Sequence, residues 1–271
     1  MLAKLLPTRK ITLPNGKTVV EKRSLTPLVL LILFGCAYVS IQITGFDLQV
    51  LISRIGQFFV IIQEMIPPTW AYFPQVWKPL LDTIKMSLLG SLLGAITALP
   101  LAMLAANNIT KSKWMSSTIK FILSLLRTLP TLIVALIATY IFGLGTLAGT
   151  IAIYLFTIAY IGKLLYEQIE NANLDAYEAM HSMGLTTIQS FRFAVFPQIL
   201  PNYLSTSLFC FEGNVRYAAI LGYVGAGGIG LLLNESIGWR NYSNLGMILL
   251  MLVVIVYMIE SISEYYRKKL T

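Results

Sequence analysis

Three polar residues, Glu212, Asn214 and Arg216, interrupt a long apolar stretch of the sequence. Glu212 and Arg216 lie four residues apart, the separation at which opposite charges pair along one face of a helix. A charge in the middle of a membrane span costs at least about 2.5 kcal/mol, so such residues face a protein interior or a watered path. Either the two charges form a self-neutralising pair that holds helices together, or Arg216 and Asn214 line a path for an anion while Glu212 holds the arginine in place.

Other residues that could carry out catalysis or bind metals are few and scattered. The sequence has one histidine, His181, and two cysteines, Cys36 and Cys210, both in apolar runs. A metal site needs clustered ligands and a disulfide framework needs cysteines in exposed loops, so neither is predicted and both thiols are expected to be buried. Because no nucleophile stands beside a base either, the residues do not indicate an enzyme.

A glycine-rich segment at residues 225–230 satisfies the pattern G-x-G-x-x-G of dinucleotide-binding proteins. That pattern binds nucleotides at a turn between a parallel strand and a helix, whereas here it follows an apolar span. We therefore expect Gly225, Gly227 and Gly228 to allow close backbone packing or to form part of an outer gate. The sequence contains no phosphate-binding loop of the Walker type, so any nucleotide that powers the protein must bind to another polypeptide.

The composition is that of a membrane protein, because 56% of the 271 residues are hydrophobic and only 12% are charged. A soluble domain carries about 25% charged residues. A helix that crosses the hydrocarbon core needs about 20 mostly apolar residues. Six stretches meet this requirement and predict an all-α fold with six transmembrane helices: 25–45, 80–106, 119–142, 145–165, 203–224 and 245–263. Gly143 and Gly145 lie between the third and fourth and predict a tight antiparallel hairpin.

The net charge of +8 is concentrated beside the apolar spans, which indicates a membrane surface rather than nucleic acid as the partner. Lysines and arginines precede the first span, separate the second from the third, and follow the sixth. Since basic segments stay on the cytoplasmic side, both termini are predicted to be cytoplasmic. Arg127 falls at the cytoplasmic end of the third span, where it either forms an inner gate or extends its side chain to the interface.

The region after the first span is predicted to form an interfacial elbow on the outer side of the membrane. It has a helical apolar pattern followed by Pro67, Pro68 and Trp70, although a loop packed on the other helices would suit the same residues. The chain is thus expected to consist of a cytoplasmic tail, the first span with its elbow, a core of five helices and a second cytoplasmic tail: 1–24, 25–78, 79–265 and 266–271.

The cytoplasmic segment from 166 to 200 is too long and too regular for a simple connection. Two short amphipathic helices are predicted in it, one before Gly184 and one after it that ends at Pro197. Glycine at 184 permits the sharp change of chain direction between them. A loop of this length with helices of its own normally carries a function.

The spacing within this loop resembles the EAA loop in membrane subunits of ABC importers, which reads Glu-Ala-Ala, three residues, Gly, nine residues, Ile-x-Leu-Pro. The matching residues here are Glu178-Ala179-Met180, Gly184 and Ala194-Val195-Phe196-Pro197. The substituted positions stay apolar, and the glycine and proline are kept. The resemblance implies a permease fold of the type I importers, with a coupling helix that sits in a groove of the cytoplasmic ATPase and is formed around Glu178, Ala179, Gly184 and Pro197.

Three further blocks, 127–150, 161–170 and 211–230, resemble phosphonate transport permeases of the PhnE type, and the whole resemblance covers roughly residues 80–265. Thr146 departs from the pattern where a proline is expected, and Phe156 stands where a histidine often precedes the threonine. The resemblance implies a permease for phosphonate or a related small phosphorus oxyanion. The path of that anion would include Glu212, Asn214, Arg216 and Arg127.

The same resemblance implies several partners: a cytoplasmic ABC ATPase dimer that binds the ATP, an extracytoplasmic binding protein, and a second permease subunit, identical or paralogous. Two other functions stay open. A permease for methionine or another small polar solute shares the EAA loop, but is expected to lack the block around Glu212 and Arg216. An ion-coupled secondary transporter is expected to show inverted repeats or broken helices and no EAA loop.

Overall fold

The computed structural model describes residues 9–12, 16, 18–21 and 26–270, most of which are helical. They belong to two compact units, Met1–Val60 and Ile61–Thr271. In the first unit, strand β1 (Arg9–Thr12) pairs antiparallel with β2 (Thr18–Glu21). This hairpin departs from the predicted all-α fold, because β-branched residues on both sides of a turn at Gly16 favour strands. The rest of the predicted tail 1–24 lies outside the described residues.

Two helices follow the hairpin, α1 (Thr26–Thr44) and α2 (Leu48–Glu64). None of the residues of α1 is buried, so Cys36 is exposed and the prediction of a buried thiol was wrong there. A helix that is apolar on every side is suited to cross a membrane, where its side chains contact lipid instead of packing on the rest of the protein. In the loop before α2, the Asp47 carboxylate accepts the N–H of Gln49 at 2.8 Å, so the predicted elbow contains a capped helix.

The second unit is built from the following helices: α3 (Phe73–Ala105), α4 (Lys113–Thr128), α5 (Thr131–Phe142), α6 (Thr146–Glu170), α7 (Asp175–Ser182), α8 (Thr187–Ser190), α9 (Phe196–Leu221), α10 (Ile229–Gly238) and α11 (Tyr242–Leu270). Among the described residues, four helices are long and apolar enough to cross a membrane, and there are six such elements if each of two bent helix pairs is one span. The largest interface joins α3 to α6. A Cβ at Gly94 would lie 2.6 Å from the Cβ of Thr157, so a glycine is needed for this close approach.

The third predicted span, 119–142, falls on two helices instead of one continuous helix. Helices α4 and α5 meet at an angle of 91°. Pro130 has no amide hydrogen to donate and disfavours helical backbone angles at Leu129, whose ψ is 121°. After α5 the chain reverses at Gly143 and Gly145, and α5 packs against α6 as the predicted hairpin requires.

The predicted helix after Gly184 does not end at Pro197, so this boundary was also wrong. A π-helical turn at Phe191–Val195 joins α8 to α9, and Pro197 lies in the first turn of α9. Within the π turn the N–H of Phe196 donates to the carbonyl of Phe191. This wider turn and a 2.7 Å hydrogen bond from the Gln198 side chain to the Ala194 carbonyl let the chain pass a proline without breaking the helix.

The last two helices extend the predicted architecture. Helix α10 was not predicted; it follows the glycine-rich segment and is bent by 53° from the helical run before it. Helix α11 continues to Leu270, so the segment 266–270 is helical. Tyr265 and Tyr266 prolong the helix beyond the predicted end of the sixth span.

Candidate functional site

A cluster of three charged side chains joins α9 to α11. Glu212 is only 3% exposed. Its carboxylate forms an ion pair with Arg216, one turn further along α9, and a second with Arg267 of α11, whose Nη2 lies 3.4 Å from Oε2. The Arg216 side chain is 50% exposed, whereas that of Arg267 is 25% exposed. The structure therefore brings the predicted pair together and adds a second arginine to it.

A cavity of about 360 Å³ opens beside this cluster. Its lining consists of Arg216 and neighbouring residues of α9 together with two aromatic residues of α6: Phe209, Cys210, Gly213, Arg216, Tyr217, Phe156 and Tyr160. The rings of Phe156 and Tyr160 stack with centroids 5.8 Å apart. The cavity therefore presents one guanidinium between aromatic walls, an arrangement that can hold a small anion by charge-assisted hydrogen bonds.

Asn214 does not join Arg216 at this cavity. Its side chain is buried at 1% exposure and donates to Ser91 Oγ at 2.8 Å and to Thr157 Oγ1 at 2.9 Å. Two positions apart on a helix, the side chains of Asn214 and Arg216 point to different faces. Asn214 therefore links α9 to α3 and α6. Cys210 is buried next to this network, as predicted.

Arg127 also lies apart from the charged cluster. It is exposed in the last turn of α4, where a cation interacts favourably with the carbonyl end of the helix. Arg267, by contrast, was not predicted as a site residue, because its position after the sixth apolar stretch placed it in a tail. The sequence does contain one signal for Arg267. Tyr265 and Tyr266 directly precede it, and these aromatic residues indicate that the helix continues past the sixth apolar stretch as far as Arg267.

The predicted coupling segment has one exposed side, and its other side packs against the long helices. Glu178 and Ala179 on α7 are exposed, and so is Pro197 at the start of α9. Behind them, Tyr177 is buried in an apolar cluster that includes Leu165 and Ile169 of α6. The exposed surface is therefore packed against α6 and α9 through buried apolar side chains.

Gly184 produces the change of direction predicted in this segment. Its φ of 91° lies in a region that residues with a side chain rarely adopt. After the turn, Thr186 and Gln189 form a reciprocal capping box that starts α8. Two large apolar side chains, Met183 at 71% and Ile188 at 69% exposure, flank the turn. An exposed surface of this kind suits a protein partner.

The glycine-rich segment packs tightly against neighbouring backbone. A Cβ at Gly227 would lie 2.7 Å from the backbone nitrogen of Thr146, and one at Gly228 would lie 2.5 Å from Thr83 Oγ1. The N–H of Gly145 donates to the carbonyl of Gly225 at 3.0 Å. These contacts favour the packing interpretation of the three glycines over nucleotide binding. Within the described ranges, no group of three or more His, Cys, Asp or Glu residues could hold a metal ion.

Replacing Gly227 should therefore destabilise the protein. We expect Gly227→Ala to lower the thermal unfolding temperature of the detergent-purified protein, since a positive φ alone costs about 1–2 kcal/mol for a residue with a side chain and the new methyl group must also displace the start of α6. Gly238→Ala is the matched control, because a Cβ there meets nothing within 4 Å. Equal unfolding temperatures for both variants would contradict the packing role.

Comparison with known proteins identifies the family. A family model described as "Binding-protein-dependent transport system inner membrane component" matches residues 98–270. The chain belongs to this family. It is a multi-pass membrane permease of an ABC importer and not an enzyme, and the ATPase is a separate subunit. Family membership also excludes the ion-coupled secondary transporter.

Individual relatives agree with this assignment. The phosphite transport system permease protein PtxC of Stutzerimonas stutzeri is 30% identical over 88% of this chain and 85% of its own length. The phosphate-import permease protein PhnE of Mycolicibacterium smegmatis is 33% identical over 78% of this chain and 40% of its own length. Among solved structures, an inward-facing MetNI methionine ABC transporter matches with a TM-score of 0.66 at 22% identity, covering 75% of this chain and 99% of the matched one. This match confirms the predicted permease fold.

Proposed function

We propose that this permease carries a small phosphorus oxyanion, phosphite or a phosphonate, into the cell. The proposal depends mainly on Arg216. Its guanidinium pairs with the buried carboxylate of Glu212, and its side chain lines a cavity with aromatic walls. Two relatives that align with most of this chain at 30% and 33% identity are named as permeases for phosphite and for phosphate import. The chemistry of the cavity and the names of the relatives point to the same class of solute.

The guanidinium of Arg216 suits a tetrahedral oxyanion because its parallel N–H groups can bind two oxygens at once. A transport path must also release what it binds. Glu212 meets this need, since its carboxylate competes with the anion for the same guanidinium and keeps the affinity moderate. In this account Asn214 supports α9 from the other side, and Arg127 lies nearer the cytoplasmic end of the path.

The permease would work between a binding protein outside and an ATPase dimer inside, with a second permease subunit completing the path. Both termini would be cytoplasmic, because the basic residues flank the spans on that side. The surface formed by Glu178, Ala179, Gly184 and Pro197 would occupy a groove of the ATPase. The chain itself would bind no cofactor, and ATP would bind only to the ATPase.

Uptake by the complete transporter tests the proposed substrate. The permease, its ATPase and its binding protein are expressed together in cells that lack other phosphite and phosphonate importers. We expect ATP-dependent uptake of phosphite or methylphosphonate, and no uptake of methionine above that of cells without the permease. Uptake of methionine alone would overturn the substrate assignment while leaving the permease assignment intact.

A further inference from the structure

We propose that Arg267, on the last helix, is a positioning residue of the anion path: it takes over Glu212 when Arg216 turns to a passing anion. This inference rests on the proposed function. When Arg216 binds the anion, Glu212 needs another cation as its counter-ion, and the inference assigns that role to Arg267. Arg267 makes no contact with the anion in this account. It acts on Arg216 through the carboxylate that the two arginines share.

The division of the two carboxylate oxygens supports this exchange. Arg216 bonds Oε1 of Glu212, and Arg267 Nη2 lies 3.4 Å from Oε2. Glu212 is 3% exposed, so its carboxylate depends on protein groups for stabilisation. If Arg216 were the only partner, its departure would leave a buried carboxylate without a counter-ion, which is strongly unfavourable. With Arg267 on the other oxygen, Arg216 can leave Glu212 at much lower cost.

The two arginines differ in the way that these roles require. Arg216 has the more exposed side chain, at 50%, and lines the cavity. Arg267 is 25% exposed, and its guanidinium carbon lies 5.5 Å from the centre of the Phe209 ring, which steadies it by a cation–π contact. Arg216 is thus the cation that can turn to the cavity, and Arg267 is the one held beside the carboxylate.

The arrangement also provides a way to release the anion. Glu212 and Arg216 share α9 and stay together when that helix moves, whereas Arg267 belongs to α11. A displacement of α11 along α9 would withdraw Arg267 from Glu212. The Glu212 carboxylate would then pair with Arg216 again and displace the anion from it. Anion release would in this way depend on helix motion during the transport cycle.

Three variants test the inference by initial rates of ATP-dependent phosphite uptake, normalised to the amount of permease in the membrane. We expect Arg267→Ala to reduce uptake about tenfold, because Glu212 then keeps its hold on Arg216. Arg267→Lys, which retains the charge, should keep most of the uptake. The neighbouring Lys268→Ala is the matched control and should behave as wild type, because Lys268 is exposed and forms an ion pair along its own helix with Glu264. In the detergent-purified permease, Arg267→Ala should also weaken phosphite binding, and Arg267→Ala/Glu212→Gln should restore that binding, because the competing carboxylate is then absent.

If Arg267 had only a structural role, the double variant would bind phosphite as weakly as Arg267→Ala does. Recovery in the double variant therefore distinguishes the exchange of Glu212 between the two arginines from a structural role. Wild-type uptake by Arg267→Ala, or no recovery in the double variant, would overturn the inference. If Arg267→Ala does not accumulate in the membrane, Arg267→Gln replaces it in both backgrounds; failure of these also to accumulate would make Arg267 structural and overturn the inference. Loss of uptake in Arg216→Ala but not in Arg267→Ala would refute the exchange alone, whereas a wild-type transporter that moves no phosphorus oxyanion would refute the proposed function.

Discussion

Arg216→Ala is expected to reduce ATP-dependent uptake of phosphite about a hundredfold while the permease still reaches the membrane. The variant removes the cation that lines the cavity, whereas Arg267 still pairs with the buried Glu212, so the loss is expected in transport rather than in folding. Arg216→Lys should lose about tenfold, because an ammonium keeps the charge but cannot bind two oxygens in parallel. The measurement is the initial rate of uptake in whole cells, normalised to membrane-inserted permease.

An arginine outside the path provides the control for this series. Arg54 on α2 is exposed and is not one of the residues that line the cavity, so Arg54→Ala removes a positive charge and leaves the lining unchanged. Its uptake should equal that of the wild type. Full uptake by both Arg216→Ala and Arg216→Lys, with normal ATP hydrolysis, would remove Arg216 from the path. The Glu212–Arg216 pair would then be a structural link between helices.

Gly184→Pro is expected to abolish the stimulation of ATP hydrolysis by the loaded binding protein. Proline fixes φ near −65°, whereas the chain turns at this residue with a φ of 91°, and the variant also removes the N–H that donates to the His181 carbonyl at 3.1 Å. The coupling surface would therefore lose its shape. Gly184→Asn is the control, because asparagine tolerates positive φ better than other residues with a side chain, and it should keep most of the stimulation.

A surface variant separates lost shape from lost docking. Glu178 is exposed, so Glu178→Lys reverses a charge without disturbing the buried side of α7. We expect it also to reduce stimulated ATP hydrolysis in reconstituted complexes to the basal rate. Wild-type stimulation in both Gly184→Pro and Glu178→Lys would show that this segment does not engage the ATPase.

Local sequence features predicted much of the fold. Apolar length located four helices that can span a membrane and two bent helix pairs. Gly143 and Gly145 indicated the hairpin between α5 and α6, because the positive φ that a tight turn requires is a local property of glycine. Gly184 was informative for the same reason. Pro130 and Pro197 show the limit of such signals. The first proline breaks its helix, whereas the second lies in a continuous one, since a π turn and the Gln198 side chain satisfy the backbone around it.

The candidate site was only partly predictable. Glu212 and Arg216 lie on one helix, so their separation of four residues was enough to pair them. Arg267 reaches Glu212 from 55 residues away, and that contact depends on how α11 packs against α9. Asn214 shows the converse: it is close to Arg216 in sequence, but its hydrogen bonds to Ser91 and Thr157 direct it to the interior. Packing between helices, which no single segment encodes, decided both outcomes.

Accumulation of phosphite in proteoliposomes tests the central claim most directly. The vesicles contain either the permease alone or the permease with its ATPase, with ATP on the side of the coupling segment and loaded binding protein on the other. We predict that phosphite accumulates above its external concentration only when the ATPase and hydrolysable ATP are both present. Equal phosphite movement through the permease alone, or no movement by the complete complex, would contradict the account.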